Sequence, residues 1–251
     1  MNTRVDEVSA DIYRISTFIP EVGPSGFTFN QFLIDTDEPL LYHTGMRDLF
    51  PSVSSAVSSI IPLEKLRWIA FSHVEADECG SMNQFLAAAP KSRVMHGRTG
   101  CLVSLNDLAD RPPLPLADGE RMEIGAQGAP NLDSRVVRHF DTPHVPHNWE
   151  SRVLFEERSR TLFCGDLMTT VGAGPALTSS DLIDAAIEAE RIFGQTGQGP
   201  AVPATLRRLA DLNPKTLAIM HGPAFEGDGA AALRNLADAY EEHFPSTRAP
   251  E

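Results

Sequence analysis

Residues 73–80 have the sequence HVEADECG and follow the apolar segment LRWIAF at residues 66–71, which predicts a buried strand. An imidazole and two carboxylates, on His73, Glu75 and Asp77, stand two residues apart in this stretch. In an extended chain alternate side chains project to the same side, so these three groups are predicted to converge on one point. Ionisable groups that converge there repel and desolvate one another unless a cation lies among them. The alternative interpretation is a solvated acidic turn.

The composition of the 251-residue chain limits its class. Its 42% apolar content is sufficient for one sizeable domain, which we expect to span residues 1–251. The net charge of −13 argues against nucleic acid or an anionic membrane as a partner, because both bind clustered Lys and Arg. Three cysteines without paired spacing indicate a reducing compartment. Since neither a signal sequence nor a membrane-spanning apolar run is found, we expect a cytoplasmic protein.

Short strands and helices alternate along the sequence. Segments 27–34 and 40–43 flank a polar turn and are predicted to pair as a hairpin. Apolar spacing predicts helices over residues 53–61, 81–86, 181–193, 204–212 and 230–243. Further strands are predicted at residues 12–15, 66–71, 92–97, 134–140, 152–157, 161–164 and 216–220, and the segment PPLP at 112–115 is predicted to be a rigid connector. The candidate ligands all follow strand ends, where α/β folds place their sites.

Further imidazoles and carboxylates follow strands downstream. The proline loop TPHVPHNWES at residues 142–151 contains His144 and His147. The segment LFCGD ends on Asp166, and IMHG contains His221. Each signal is weak alone, because an Asp after a strand is usually a turn or a helix cap and a His before Gly is usually structural. As an ordered set at successive strand ends, they favour a metal site over the acidic turn.

The ordered set His-x-Glu-x-Asp, then His, Asp and His, resembles the metallo-β-lactamase superfamily over roughly residues 10–243. This resemblance implies an α/β (α+β) fold, the αββα sandwich, with a two-metal site at the rim between two sheets. In hydrolases of the superfamily the first motif is His-x-His-x-Asp-His, whereas Glu75 and Glu78 stand at its second and last His positions here. Glu75, together with HNWES at 147–151, makes the chain most similar to the diiron domain of flavodiiron proteins and to stand-alone oxygen-binding diiron proteins.

Carried over position by position, the resemblance implies that His73, Glu75 and His147 are terminal ligands of one metal. Asp166 is then the bridging carboxylate, and Asp77 and His221 are ligands of the second metal. His144 is an alternative ligand to His147. We favour His147, because Ser151, four residues after it, matches the family segment. Glu78, in place of the family's last His, either adds an oxygen ligand to the second metal or leaves an open position there. His43 follows a strand where the superfamily commonly has an Asp that supports the site, and it has either that role or an ordinary structural one.

The three carboxylates and three imidazoles suit iron or manganese, although zinc also binds such ligands well. The resemblance therefore implies two iron ions and a protein that binds O2 or NO and either reduces or senses it. Flavodiiron proteins carry an FMN-binding flavodoxin domain after this one. Because the chain ends about where that domain would begin, we expect no FMN and an external redox or signalling partner. A homodimer is a further expectation from the family.

A di-metal hydrolase is the alternative function. In it a bridging hydroxide would attack an ester, thioester or lactone carbonyl. Asp77 or Glu78 would then handle the proton, which makes Glu78 the candidate catalytic residue. Glu75 in place of His argues against this reading. A third possibility is a domain that binds metal only to hold its fold or a partner, so the sequence leaves open whether the protein is an enzyme.

Overall fold

The computed structural model describes residues 3–125, 135–197 and 199–245 of the chain. These residues form two seven-stranded sheets. The first sheet has the same order in space as in the chain: β1 (Thr3–Ser9), β2 (Ile12–Ile19), β3 (Phe27–Ile34), β4 (Leu40–Tyr42), β5 (Trp68–Ala70), β6 (Arg93–Gly97) and β7 (Leu114–Leu116). Its strands pair antiparallel as far as β4 and parallel from β4 onward.

The second sheet is also mixed. Its strands are β8 (Arg121–Ile124), β9 (Arg135–Asp141), β10 (Arg152–Glu156), β11 (Thr161–Gly165), β12 (Leu177–Thr178), β13 (Thr216–Ile219) and β14 (Ala224–Glu226). In space they follow the order β12-β14-β13-β11-β10-β9-β8. The neighbours β11 and β13 are parallel, so the carboxyl ends of both strands meet at one edge of the sheet.

Helices cover the outer faces of the sheets. They are α1 (Phe50–Ser58), α2 (Ala76–Cys79), α3 (Met82–Ala88), α4 (Arg98–Gly100), a π-helical turn (Cys101–Leu105), α5 (Asn106–Leu108), α6 (Ile183–Phe193), α7 (Ala201–Ala210) and α8 (Gly229–His243), with 3₁₀ turns at Arg47–Leu49 and Leu63–Lys65. Among the described helices, none combines the length and the apolar character needed to cross a bilayer.

Three apolar clusters hold the layers together. Between the two sheets, Phe32 and Tyr42 of the first sheet pack against Phe163 of the second, with ring centroids 5.8 and 5.0 Å from that of Phe163. A second cluster joins the first sheet to α1 and α3, and a third joins the second sheet to α6, α7 and α8. The layers are therefore helix, sheet, sheet and helix, and the predicted αββα sandwich is confirmed.

Backbone hydrogen bonds join the two sheets at one edge of the sandwich. The Asn30 N–H of the first sheet donates to the Met220 carbonyl at 3.0 Å, and the Arg152 N–H of the second sheet donates to the Ser72 carbonyl at 2.9 Å. These bonds bring the ends of β5, β11 and β13 to the same seam. The residues that follow these three strands are therefore neighbours in space, although they are distant in sequence.

Most predicted elements are confirmed, and the differences have physical reasons. The hairpin of segments 27–34 and 40–43 is formed by β3 and β4. The helix expected from residue 53 begins at Phe50, because Pro51 is tolerated in a first turn, where its missing N–H has no helical partner. The segment 112–115 is more than a connector, since part of it belongs to the edge strand β7, where a proline is tolerated. The strand expected over residues 134–140 is described from Arg135 to Asp141, and Ser134 lies outside the described residues.

Candidate metal centre

The first motif folds as a strand end followed by a short helix. Glu75 has extended backbone angles, φ −129° and ψ 161°, and α2 begins directly after it. Since a helix rotates successive side chains by about 100°, Asp77 and Glu78 leave the alternating pattern. The prediction that one extended segment presents all three groups is therefore wrong for Asp77, which reaches the site from a helical turn.

His147 belongs to the loop between β9 and β10. Thr142 Oγ1 and Ser151 Oγ both donate to the carbonyl of Val145, at 2.9 and 3.1 Å, and so hold the loop closed. Nε2 of His147 lies 3.2 Å from Oε1 of Glu75. The loop therefore places the imidazole of His147, from the second sheet, next to the carboxylate of Glu75, which follows a strand of the first sheet.

Asp166 and His221 follow the neighbouring parallel strands β11 and β13. Because these strands end at the same edge, Oδ1 of Asp166 lies 3.2 Å from Nε2 of His221. Gly165, the last residue of β11, has a φ of +56°, which favours glycine. A Cβ on Gly165 would lie 2.3 Å from Oγ of Ser72, so this position also has no room for a side chain.

Asp166 divides the centre into two halves. Its Oδ2 lies 3.6 Å from Nε2 of His73 and 3.7 Å from Nε2 of His147, whereas its Oδ1 faces His221. The halves are named here by their deepest imidazoles, as the His73 half (His73, Glu75 and His147) and the His221 half (His221 and Asp77). This position between the halves is the one that a bridging carboxylate requires.

Each half contains its own carboxylate. In the His73 half, Oε2 of Glu75 lies 3.4 Å from Nε2 of His73. In the His221 half, Oδ2 of Asp77 lies 3.5 Å from Nε2 of His221. Within the part of the chain that the structure describes, three residues have ligand atoms that all lie within 4.8 Å of one another and could hold a metal ion: His73, His147 and Asp166. The structure thus brings the six residues assigned by the resemblance into one cluster.

The carboxylates raise the pKa of the imidazoles. Burial by itself lowers the pKa of His73 and His221, but the neighbouring carboxylates, Glu78 foremost for His73 and Asp166 for His221, outweigh burial and raise each pKa to about 10. Burial likewise lowers the pKa of His147, and a hydrogen bond to its carboxylate neighbour makes the net shift upward. Without a cation, the imidazoles of His73 and His221 therefore hold protons near neutral pH.

The carboxylates shift in the opposite direction. The close imidazoles of His147 and His73 lower the pKa of Glu75 to about 2. Burial raises the pKa of Asp166, but the close, positively charged imidazole of His221 outweighs burial and holds this pKa well below its usual range. Both groups are therefore ionised near neutral pH. Because metal ligands must be deprotonated, a cation would replace the imidazole protons.

Two buried atoms of the centre test whether a metal fits. Nε2 of His73 and Oδ1 of Asp166 lie near opposite charges, but neither makes a hydrogen bond of good geometry among the described residues. A buried polar atom without a hydrogen bond costs about 1–3 kcal/mol. A cation between the ligands would satisfy both atoms. Three imidazoles with three carboxylates suit iron, manganese or zinc, so the residues fit a metal centre.

Glu78 lies behind His73, on the side away from Asp166. Its carboxylate is fully buried, and Oε2 accepts the backbone N–H groups of Ser72 and His73 at 2.8 and 2.7 Å. Oε1 accepts the Ser72 hydroxyl and lies 3.3 Å from Nδ1 of His73. His43, whose Nδ1 lies 3.2 Å from the Asn30 carbonyl, places Nε2 3.5 Å from the same Oε1. The catalytic role of Glu78 stays a prediction.

Two residues that orient imidazoles were not identified from the sequence. Oγ of Ser72 lies 3.0 Å from Nδ1 of His73, and the Thr28 carbonyl lies 2.8 Å from Nδ1 of His221. A partner at Nδ1 leaves Nε2 of the same ring free for a metal. The hydroxyl directly before the motif histidine is a usable sequence signal. Thr28 carries no such signal, since it lies 193 residues from His221.

Aromatic side chains of β3 hold the ring of His221. Phe27 stacks on this ring with centroids 4.3 Å apart, and Phe29 meets it edge-on at 5.3 Å. Phe193 of α6 packs on Phe27 at 5.5 Å and is itself 48% exposed. The His221 half is thus covered by apolar surface that reaches the solvent.

A surface cavity of about 540 Å³ is lined by residues that neighbour the His73-half ligands in the chain. Val74, Trp149 and His144 are among its lining residues, and Trp149 is 59% exposed. His144 has a φ of +62° and donates its N–H to the Asn148 carbonyl at 2.8 Å. The structure therefore places His147 in contact with the other candidate ligands and His144 on the cavity wall.

Comparisons with known proteins identify the family and the fold. The family described as "ODP family beta lactamase" matches residues 27–222. Rubredoxin-oxygen oxidoreductase of Megalodesulfovibrio gigas is 20% identical over 214 residues, which cover 82% of this chain and 51% of that protein. A diflavin flavoprotein of Nostoc sp. is 23% identical over 209 residues, which cover 80% of this chain and 34% of that protein. The chain thus spans about half or less of these curated relatives.

A solved structure shows the same fold. The metal-soaked Flv1 flavodiiron core from Synechocystis sp. PCC6803 superposes with a TM-score of 0.81 at 16% identity, covering 96% of this chain and 61% of that one. At this identity the likeness shows the fold alone. The family match is stronger evidence of membership, because its matched range, residues 27–222, covers more than half of the chain. The protein belongs to the ODP beta-lactamase family and has the metallo-β-lactamase fold of the diiron domain of flavodiiron proteins.

Proposed function

We propose that this chain is a non-haem diiron protein that binds O2 or NO and reduces it with electrons from an external donor. One observation carries the proposal: Glu75 lies between His73 and His147, at 3.4 and 3.2 Å from their Nε2 atoms, where hydrolases of the superfamily have a histidine. A carboxylate at this position favours iron or manganese over zinc. The oxidoreductase relatives support the same reaction class.

The charge of the ligand shell supports two divalent cations. Glu75, Asp77 and Asp166 contribute three negative charges, which nearly neutralise two such ions. His73, Glu75 and His147 would hold one ion and Asp77 and His221 the other, with Asp166 shared. Two bound irons would supply one-electron redox chemistry for a diatomic ligand. The protein's part is to orient the imidazoles through Ser72 and Thr28 and to keep the shared carboxylate ionised.

The electron donor is proposed as a partner protein. Rubredoxin-oxygen oxidoreductase is named for a protein redox partner, and a donor of that kind is compatible with a centre that lies at a rim of the sandwich. Apolar side chains reach the solvent on both sides of it, Trp149 beside the His73 half and Phe193 beside the His221 half. We also propose that residues 1–251 form one domain, because one apolar cluster contains residues of both sheets.

Metal content together with an absorption spectrum tests the proposal. The chain is purified without added metal under anaerobic conditions, and its spectrum is recorded before and after exposure to air. We expect two irons per chain and an oxygen-dependent near-ultraviolet band. Two zinc ions per chain and an unchanged spectrum would contradict the proposal. A Glu75→Asp variant, which keeps the carboxylate, is the matched control for Glu75→Ala, which should lose metal.

A di-metal hydrolase is the second candidate, and Asp77 is the observation in its favour. Its carboxylate is 23% exposed beside His221, where it could take a proton from a water molecule between the halves. The family description also names a beta lactamase. Turnover of ester, thioester or lactone substrates by the zinc-loaded chain, together with no oxygen-dependent band in the spectrum of the iron-loaded chain, would support this candidate over the first.

A further inference from the structure

Glu78 is an ionisable side chain with no access to solvent. A carboxylate has about four lone-pair sites. On Oε2, the backbone N–H groups of Ser72 and His73 occupy two of them. On Oε1, the Ser72 hydroxyl donates one hydrogen bond and Nδ1 of His73 approaches to 3.3 Å. Three of the four sites thus accept hydrogen bonds from protein groups, and the buried imidazole of His43, with Nε2 3.5 Å from Oε1, lies against the same oxygen.

These contacts form a directed chain. Nδ1 of His73 lies 3.0 Å from Oγ of Ser72, which in turn donates to Oε1 of Glu78. In this order the imidazole donates to the hydroxyl and the hydroxyl donates to the carboxylate. With the other imidazole proton displaced by a metal, the remaining proton of His73 would be held at Nδ1, and Nε2 would present its lone pair on the side of Asp166.

Packing from the second sheet fixes the hydrogen-bonded series His73–Ser72–Glu78 in place. Gly165, which precedes Asp166, leaves room for Ser72: a Cβ there would lie 2.7 Å from the Ser72 Cβ and 3.6 Å from Oε1 of Glu78. The backbone N–H of Thr44 and its hydroxyl both donate to the Glu78 carbonyl, at 2.6 and 3.1 Å. The position of Glu78 is therefore determined by backbone and by buried side chains rather than by the centre.

We propose that Glu78 is a positioning residue, which fixes the Nδ1–H of His73 through Ser72 and supplies no ligand to either half. This role rests on the proposed metal centre. The His221 half then has one protein ligand fewer than the His73 half. Where the superfamily's hydrolases place a histidine ligand, this chain has a buried support for the imidazole that opens the motif.

The test uses the full chain loaded with Co²⁺, whose unpaired electrons shift the N–H proton signals of liganding imidazoles in NMR spectra. The signals of His73 and His221 are assigned by their loss in His73→Gln and His221→Gln. The variant Glu78→Gln is compared with wild type for the number of Co²⁺ ions bound, for their affinity and for these two signals. Glu156→Gln is the matched control, because Glu156 is also a buried carboxylate that accepts two backbone N–H groups, those of Arg158 and Ser159.

We expect Glu78→Gln to keep two Co²⁺ ions and to weaken one of them by about 10–100-fold, as is typical when a supporting partner of a ligand is lost. The His73 signal should shift and exchange faster with solvent, while the His221 signal, held by the Thr28 carbonyl, stays in place. Loss of one ion with an unchanged His73 signal would show that Glu78 is a ligand. Wild type that binds no Co²⁺ would overturn the centre and this role together.

A second variant keeps the test decisive if Glu78→Gln does not fold. Ser72→Ala removes the hydroxyl between the imidazole and the carboxylate but leaves the two backbone N–H groups on Oε2. The His73 signal should respond as in Glu78→Gln, with a smaller loss of affinity. Ser72→Thr, which keeps a hydroxyl, should restore part of that affinity. A folded Ser72→Ala chain with an unshifted His73 signal would contradict the proposal.

Discussion

The two halves of the centre are held by different kinds of contact. His73 is fixed by buried hydrogen bonds through Ser72 and Glu78. His221 instead packs between the rings of Phe27 and Phe29, and its Nδ1 contacts one backbone carbonyl. A buried polar network loses much of its value when one member is removed, because its partners are left unsatisfied. Apolar packing tolerates a volume-conserving change better. The His73 half should therefore be the more sensitive to substitutions around its imidazole.

Removal of Asp166, the residue that both halves share, should have the largest effect. Asp166→Ala takes one oxygen from each half, so we expect both metals to be lost from purified protein. Metal analysis and calorimetric titration measure this, with the exposed Asp211→Asn as the control. If one metal stayed bound with wild-type affinity, Asp166 would belong to a single half.

Removal of the carboxylate of one half should separate the halves. We expect Glu75→Gln to lose the metal of the His73 half and Asp77→Asn to lose that of the His221 half, each retaining about one metal per chain. In each variant the affinity for the affected metal should fall by more than the roughly 10–100-fold decrease that follows loss of a residue supporting a ligand. Titration of both variants with Co²⁺ measures the effect. If each variant lost both metals, binding in the two halves would be coupled too strongly for the comparison to hold.

The pH dependence should be shared by the halves, because the pKa of His73 and that of His221 are both raised to about 10. In the metal-free protein their paired protons contribute stability that is fully present below the unfolded-state pKa of about 6.5 and is lost as the pH rises through 10. Metal binding displaces these protons, so metal affinity should rise over the same pH range. Urea unfolding of the metal-free chain and Co²⁺ titrations at several pH values measure both slopes. A metal affinity that does not change with pH would show that the imidazoles are not the ligands.

A conservative change in the aromatic packing around His221 should have a small effect on stability and on metal affinity. We expect Phe27→Leu to lower the free energy of unfolding by about 1 kcal/mol, as is usual for hydrophobic exchanges in a core. Metal affinity of the His221 half should fall less than tenfold, and less than Ser72→Ala lowers that of the His73 half. Urea unfolding and Co²⁺ titration compare the two variants. A larger fall in affinity for Phe27→Leu would reverse the order of sensitivity of the two halves.

The smallest effect is expected at His144. Because His144 lines the surface cavity and His147 contacts Glu75, His144→Ala should retain two metals and His147→Ala should lose one. Metal content of the two variants is the measurement. Equal loss in both would mean that the proline loop rearranges when metal binds.

Local patterns were enough to predict much of the fold. The alternation and the turn of residues 27–43 predict the hairpin of β3 and β4, and helical spacing predicts α6 and α8 to within two residues. The edge strand β7 could not be predicted from PPLP, since only its pairing with β6 makes it a strand. That pairing depends on tertiary structure, which no local pattern contains.

The candidate site divides in the same way. The ligand types and their order along the chain are visible in the sequence, and the family resemblance converts them into an assignment. The direction of Glu78 is not visible, because one helical turn at residues 76–79 decides whether its carboxylate points to the centre or behind His73. The packing around His221 cannot be read from the sequence for another reason. Phe27 and Thr28, which contact its ring, belong to the opposite sheet.

The position of the centre on the seam between the sheets has a consequence for folding. His73 follows a strand of the first sheet, and Asp166 and His221 follow strands of the second. A cation bound there would work as a non-covalent cross-link that exists only while the sheets are stacked. Each tenfold excess of free metal over its dissociation constant would add about 1.4 kcal/mol to the stacked state. Metal supply in the cell would then regulate the lifetime of the folded chain as well as its chemistry.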